Sequence, residues 1–138
     1  MLVYAKKLHE DAVLPKYAKE GDAGLDLVAI NKVKHELYNE YHTGIAMEIP
    51  EGYVGLVFPR SSISEKQSLF ANSVGVIDSS YRGEIKIRMR EVESSGNCYN
   101  IGDKIAQIVI VPVPSIVVAE VNNLSKTDRG EGGFGSTN

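Results

Sequence analysis

The sequence contains no tryptophan and one cysteine, Cys98. A single thiol cannot close an intrachain disulfide or build a Cys-rich zinc site. Disulfide scaffolds and zinc-finger classes are thereby excluded, and a reducing compartment is expected. No apolar run approaches the roughly 20 residues that a membrane-spanning helix needs. The start, Met1-Leu2-Val3-Tyr4-Ala5 running into Lys6-Lys7, lacks the apolar stretch of a secretory leader. Positive charge is not in excess either: 15 Lys and Arg against 18 Asp and Glu give a net charge of −3. With no global basic field, neither nucleic acid nor a membrane is an expected partner, and any phosphate must be caught by a local cluster. The default location is the cytoplasm.

What is present reads as β-structure. A hydrophobic content of 43% over 138 residues suits one globular domain with its own core. Residues 84–90 (EIKIRMR) alternate polar and apolar, the period of a strand with one buried face. Residues 73–77 (SVGVI) are apolar and β-branched and predict a partner strand, with 78–83 (DSSYRG) as the hairpin turn. A second hairpin is predicted from 45–49 and 53–58 around Pro50-Glu51-Gly52. Further strands are expected at 2–8, 23–29 and 116–121, with an exposed or edge strand at 35–41, a loop at 9–21 and a turn at 93–97. In 23–29 the alternation of Leu25 and Leu27 with Asp26 places that carboxylate on the face opposite the leucines. The run 102–111, opened by Gly102-Asp103, is apolar on both sides and predicts burial on both, with Pro112 and Pro114 ending it. Gln107 lies inside it, and a buried amide must bond either to backbone or to a ligand. Short strands between turn signals, without a long amphipathic helix, repeat or linker, predict an all-β sandwich or jelly roll.

Three stretches hold more chemistry than turns require. Asp78, Tyr81 and Arg82 crowd an acceptor, a ring and a cation into one turn. Pro59-Arg60-Ser61-Ser62, followed by Glu65-Lys66, suits the start of a short helix, where free N–H groups, an arginine and two hydroxyls can cradle phosphate. The plainer readings are a solvated polar loop and a capping serine beside a solvated arginine. Residues 129–138 (RGEGGFGSTN) hold four of the thirteen glycines and one phenylalanine that nothing local can bury. That composition predicts disorder. Its glycines would let backbone approach phosphate, but the lysine of a P-loop is missing, which excludes that motif.

Five stretches in this order, AGLDLVA (23–29), PRSS (59–62), GVIDSSYRGEI (75–85), GDKIAQ (102–107) and RGEGGFGSTN (129–138), resemble the five motifs of the trimeric dUTPases. The resemblance implies a jelly-roll-like β domain over 1–124 and a flexible arm over 125–138 that closes over the active site. It further implies a homotrimer in which each site draws on all three subunits. The implied reaction is magnesium-dependent hydrolysis of dUTP to dUMP and pyrophosphate, which supplies dUMP for thymidylate synthesis and keeps uracil out of DNA.

On this resemblance Asp78 is the general base, and Gln107, with Arg60, Ser61 and Ser62, holds the phosphates and the water. The backbone of Gly75, Val76 and Ile77 pairs with uracil, Asn72 adds a contact, and Tyr81 lies under the deoxyribose. Asp26 contacts magnesium through water. From the arm, Arg129 meets the γ-phosphate, Phe134 stacks on uracil, and Gly135 and Ser136 close on the phosphates.

Three positions depart from the family pattern: Ser80 replaces a usual acidic residue, Asn138 follows Thr137 where glycine is usual, and Glu131 carries an anion toward a triphosphate. Two rival readings remain. A dCTP deaminase shares the fold and wants a glutamate base, for which Glu84 is the candidate. A non-enzymatic trimer would have no use for Asp78, Tyr81 and Phe134 together.

Overall fold

The structure, a computed structural model, describes residues 1–92 and 96–135. Its strands are β1 (Tyr4–Lys7), β2 (Leu25–Val28), β3 (Asn31–Lys34), β4 (Asn39–His42), β5 (Ile45–Glu48), β6 (Tyr53–Phe58), β7 (Ser68–Phe70), β8 (Gly75–Ile77), β9 (Lys86–Glu91) and β10 (Lys104–Pro112). A 3-10 helix, Ser61–Glu65, separates β6 from β7. Two four-stranded antiparallel sheets, in the orders β2-β10-β6-β8 and β3-β4-β9-β7, are joined by a β1-β5 ribbon. Among the described residues no helix is long and apolar enough to cross a membrane.

The period-2 pattern decides what fills the space between the sheets. Leu27, Val57 and Ile108 from one sheet meet Tyr41, Ile87 and Met89 from the other, and Ile45 and Met47 of the ribbon close the cluster. Two hydroxyls drawn into this core find partners. The Tyr41 hydroxyl donates to the Tyr99 carbonyl at 3.1 Å, and the Thr43 hydroxyl donates to the Ile85 carbonyl at 2.6 Å.

Strand pairing corrects several sequence expectations. Residues 73–90 are not a hairpin: β8 pairs with β6, whereas β9 pairs with β4 and β7 in the other sheet. Alternation shows that a strand has one buried face, but not which strand lies beside it. For the same reason 45–58 is not a hairpin either. The turn is there, with Tyr53 N–H donating to the Pro50 carbonyl at 3.1 Å and Gly52 at φ +81°, yet β5 pairs with β1 and β6 pairs with β10 and β8. The segment expected as an exposed or edge strand supplies β4, which is interior to its sheet and buried. Asn39 and Glu40 are tolerated there because the Asn39 amide donates to Glu91 and Glu40 accepts from Arg88, both on β9.

β10 is buried on the core face only; Val109 to Val111 on its far half are half-covered. No strand forms at 116–121, where Ile116, Val117 and Val118 are 76%, 96% and 88% exposed. Of the turn expected at 93–97, residues 93–95 lie outside the described residues.

Glu40 shows how the second sheet accommodates charge. It stands directly across from Arg88, whose Nε donates to Oε2 at 2.8 Å, and Lys86 Nζ lies 3.3 Å from Oε1. Burial alone would raise this carboxyl, but the hydrogen bonds from Arg88 and Lys86 outweigh it and hold the group below its ordinary value of 4.5. A depressed carboxyl contributes its stability in full above that ordinary value and loses it as pH falls through the folded value. Glu40→Gln is therefore expected to be less stable than the parent at pH 7, with the gap narrowing as acid unfolding is approached below pH 4.5. Denaturant midpoints followed from neutral pH downward check this; a gap independent of pH would show that the carboxylate is not linked to folding. In the core, Ile108→Ala is expected to cost about 2–5 kcal/mol by urea unfolding.

Candidate active site

Register across three strands builds the first half of the site. Asp26 of β2 and Phe58 of β6 both stand opposite Gln107 of β10. Just past Phe58 the chain leaves the strand at Pro59-Arg60, and Gln107 Nε2 donates to the Pro59 carbonyl at 3.0 Å, fixing that exit. The backbone partner foreseen as the plainer reading for Gln107 is thus present. Gly24 makes room for the amide: a Cβ there would sit 3.0 Å from Gln107 Cβ.

Asp26 is buried, with Arg60 Nε 2.8 Å from Oδ1 and Lys104 Nζ 2.8 Å from Oδ2. The Lys104 contact lacks hydrogen-bond direction, so Oδ2 keeps acceptor capacity. Gly24, Asp26, Arg60, Ser61 and Gln107 line a cavity of about 360 Å³; Lys104 reaches Asp26 from outside that lining. The Ser62 hydroxyl is turned away, 3.4 Å from the Tyr99 hydroxyl.

The second half is the crossover between β8 and β9. Tyr81 N–H donates to the Asp78 carbonyl at 3.0 Å, and Arg82 Nη1 donates to the Ser79 and Tyr81 carbonyls at 2.6 and 3.0 Å. The Tyr81 ring rests on Gly83, where a Cβ would fall 2.6 Å from the ring Cζ, and its hydroxyl donates to the Glu84 carbonyl at 3.0 Å. Glu84 in turn accepts from Gly44 N–H at 2.8 Å and contacts His42 Nδ1 at 3.0 Å. Tyr81 is thereby tied to the start of β5. Val76, Ile77, the exposed Asp78, Tyr81 and Glu84 line a cavity of about 300 Å³. Just before β8, Ser73 is left-handed at φ +60°, and Asn72 Nδ2 lies 3.7 Å from where a Cβ on Gly75 would sit.

The two halves do not meet on one chain. Ile77 stands opposite Gly55, so Asp78 continues toward the start of β6, whereas Arg60 lies beyond its end. At about 3.3 Å per residue the separation is on the order of 15–20 Å. The two linings share no residue. Neither contains a described residue of the arm: Arg129 Nε donates to the Gly132 carbonyl at 2.9 Å, Phe134 is fully exposed, and Gly135 has φ +87°. Ser136 lies outside the described residues.

A sequence profile of the dUTPase family matches residues 10–138. The chain belongs to the dUTPase family. It is similar to the deoxyuridine 5'-triphosphate nucleotidohydrolase of Hydrogenobaculum sp. (strain Y04AAS1), 45% identical over 141 residues that cover 99% of this chain and 98% of that one. The same enzyme of Clostridium kluyveri is 43% identical over 140 residues, with 99% and 98% covered. Among solved structures it resembles a mutant dUTPase of Staphylococcus bacteriophage 80alpha bound to dUpNHpp (TM-score 0.88, 26% identity, 99% of this chain and 98% of that chain). A mutant dUTPase from phage phi11 of S. aureus, described with a structural Mg(II) ion, aligns at TM-score 0.76 and 26% identity over 91% of this chain and all of the other. The all-β jelly roll expected from the motifs is the fold that this dUTPase-family chain shares with them.

Three contributors escaped sequence reasoning. Lys104 sits in the quoted GDKIAQ, but strict alternation would turn it to the core with Ala106 and Ile108. A β-bulge between Lys104 and Ala106 turns it to Asp26 instead. The bracing of Tyr81 by Glu84 and His42 depends on contacts between distant segments, which no local pattern announces. The glycine at 24 had a signal, standing two residues before Asp26, but its reason is a side chain on another strand.

Gly24→Ala is expected to destabilise the fold by about 1–3 kcal/mol through overpacking on Gln107. Gly133→Ala, with nothing within 4 Å of the added carbon, should leave stability unchanged. Urea unfolding of both variants checks the pair.

Proposed function

We propose that this chain splits dUTP into dUMP and pyrophosphate in sites assembled between copies of itself, with Asp78 as general base. The observation that carries the reading is the division described above: the base and sugar platform sit at one end of β6, and the phosphate clamp at the other. One chain holds both halves of the site but cannot bring them together, whereas a second copy can present its clamp to the first copy's crossover. The exposed Ile116, Val117 and Val118 support assembly, since apolar side chains on that scale want cover. A homotrimer with a shared arm satisfies both needs.

β8 ends its sheet, pairing with β6 on one side only. Along Gly75, Val76 and Ile77 every second residue turns its N–H and C=O outward, which supplies donors and acceptors at fixed spacing, and uracil is their ligand. Asn72 adds a contact. The narrow fit rejects the 5-methyl of thymine by clash and the amino group of cytosine by mismatched donors. Tyr81, seated on Gly83, lies under the deoxyribose and leaves no room for a 2′-hydroxyl.

Arg60, Ser61 and the backbone of Ser62 hold the phosphates, and Gln107, held by the Pro59 carbonyl, orients the water. Asp78 takes a proton from that water as its oxygen bonds to the α-phosphorus in line with the departing bridge oxygen. The α–β bond breaks and pyrophosphate leaves. Arg129, Phe134, Gly135 and Ser136 of the arm then serve to cover nucleotide and exclude bulk water.

The residues present fit magnesium. Asp26 Oδ2 is buried with acceptor capacity to spare, and among the described residues no group of three or more His, Cys, Asp or Glu forms a cage. That donor set matches a cation held chiefly by phosphates and retained waters, with Asp26 reached through water. When bound, magnesium neutralises phosphate charge. The deaminase reading is disfavoured because the Glu84 carboxylate is already engaged by Gly44 and His42. The cytoplasm, or whichever compartment holds the nucleotide pool, is the expected site of action.

Pyrophosphate release should be rapid and magnesium-dependent from dUTP and negligible from dCTP, dTTP and UTP. Ammonia from dCTP, or inertness toward all four, would overturn the reading. Asp78→Asn is expected to keep nucleotide binding while turnover falls by about 10²–10⁴-fold. Sedimentation should give the mass of three chains.

A further inference from the structure

Asp26 carries two cations on one carboxylate, Arg60 on Oδ1 and Lys104 on Oδ2, each at 2.8 Å. The group of three therefore holds one net positive charge. Their access to solvent is unequal: the Arg60 and Lys104 side chains are 31% and 41% exposed, and the Asp26 side chain only 7%. Arg60 lines the adjoining cavity and Lys104 stands beside it on the same carboxylate, so both cations can swing toward an anion bound there, but the carboxylate cannot follow them. Nor can it be left alone, because a buried charge stripped of its partners is strongly disfavoured. A triphosphate that recruits both cations must therefore bring a replacement. The magnesium that accompanies it is compact, doubly charged and suited to meeting a carboxylate through water.

We propose that Asp26 is the exchangeable counter-ion of the phosphate clamp, surrendering Arg60 and Lys104 to the β- and γ-phosphates as it takes up the nucleotide's magnesium. Lys104 is thereby a phosphate-binding residue alongside Arg60. This rests on the dUTP reading above and deepens it, because it makes metal and clamp interdependent. Without metal, triphosphate must draw the cations away from an unreplaced carboxylate. Removing that carboxylate should ease metal-free binding, the opposite of what loss of a simple metal ligand would do.

The test is calorimetric titration of the full-length protein with the imido analogue dUpNHpp and with dUMP, each in excess magnesium and in chelator. The expected result is that Asp26→Asn binds metal-free analogue about tenfold tighter than the parent, one such charge contact being worth about that factor. Its gain from magnesium should largely vanish. Lys104→Met should weaken binding of the magnesium-loaded analogue about tenfold, leave dUMP within about twofold, and be rescued by Lys104→Arg. The lysine series stands as the test if Asp26→Asn does not fold. Metal-free binding no tighter in Asp26→Asn, or equal losses for analogue and dUMP in Lys104→Met, would overturn the exchange while the parent still hydrolyses dUTP. A parent that binds neither ligand overturns the dUTP reading and the exchange with it.

Discussion

The hydrogen-bond ladder of β10 is the constraint on which the polar architecture depends. This strand pairs with β2 on one side and β6 on the other, and the two registers bring Asp26, Gln107 and Phe58 into one row. Once that row is set, the exit of β6 at Pro59-Arg60 has one place to go, pinned by the Gln107 amide and drawn to the Asp26 carboxylate. The same ladder turns Leu27, Val57 and Ile108 inward. The hydrophobic core and the Asp26–Arg60–Gln107 cluster are thus opposite faces of one registration, and a slip by one residue would exchange them.

β6 then acts as a ruler with chemistry at both ends. Its start lies beside the crossover that carries Asp78 and Tyr81, and its end leads into Arg60 and the 3-10 helix. A rigid strand cannot fold its ends together, so the chain keeps its two half-sites apart, which favours catalysis by an assembly over catalysis by a lone molecule. The apolar run after β10 and Phe134 are likewise left exposed on this chain.

The sequence was most legible where chemistry is concentrated in short motifs. AGLDLVA, PRSS and GDKIAQ named Asp26, Arg60, Ser61 and Gln107, which the structure gathers around one cavity. GVIDSSYRGEI named Val76, Ile77, Asp78, Tyr81 and Glu84 around the other, but not Glu40, Lys86 and Arg88. The existence of β9 was also readable, because burial of one face forces its alternation. Partner choice was not. SVGVI and EIKIRMR look like two arms of a hairpin, yet the residues between them cross from one sheet to the other. Lys104 was hidden by a bulge that reverses the parity of its strand. The buried setting of β4 was hidden because Asn39, Glu40 and His42 read as surface until their partners on the neighbouring strand are known.

The three-residue edge at β8 carries a consequence for inheritance. If the nucleobase is chosen by the main chain of Gly75, Val76 and Ile77, the selecting groups are amides, which nearly every codon specifies equally well. A point mutation can replace a side chain there, but it leaves the N–H and C=O pattern in place. Proline is the exception, because it deletes the donor. Substrate choice in this protein is therefore buffered against genetic drift to a degree that a pocket lined by discriminating side chains could not match.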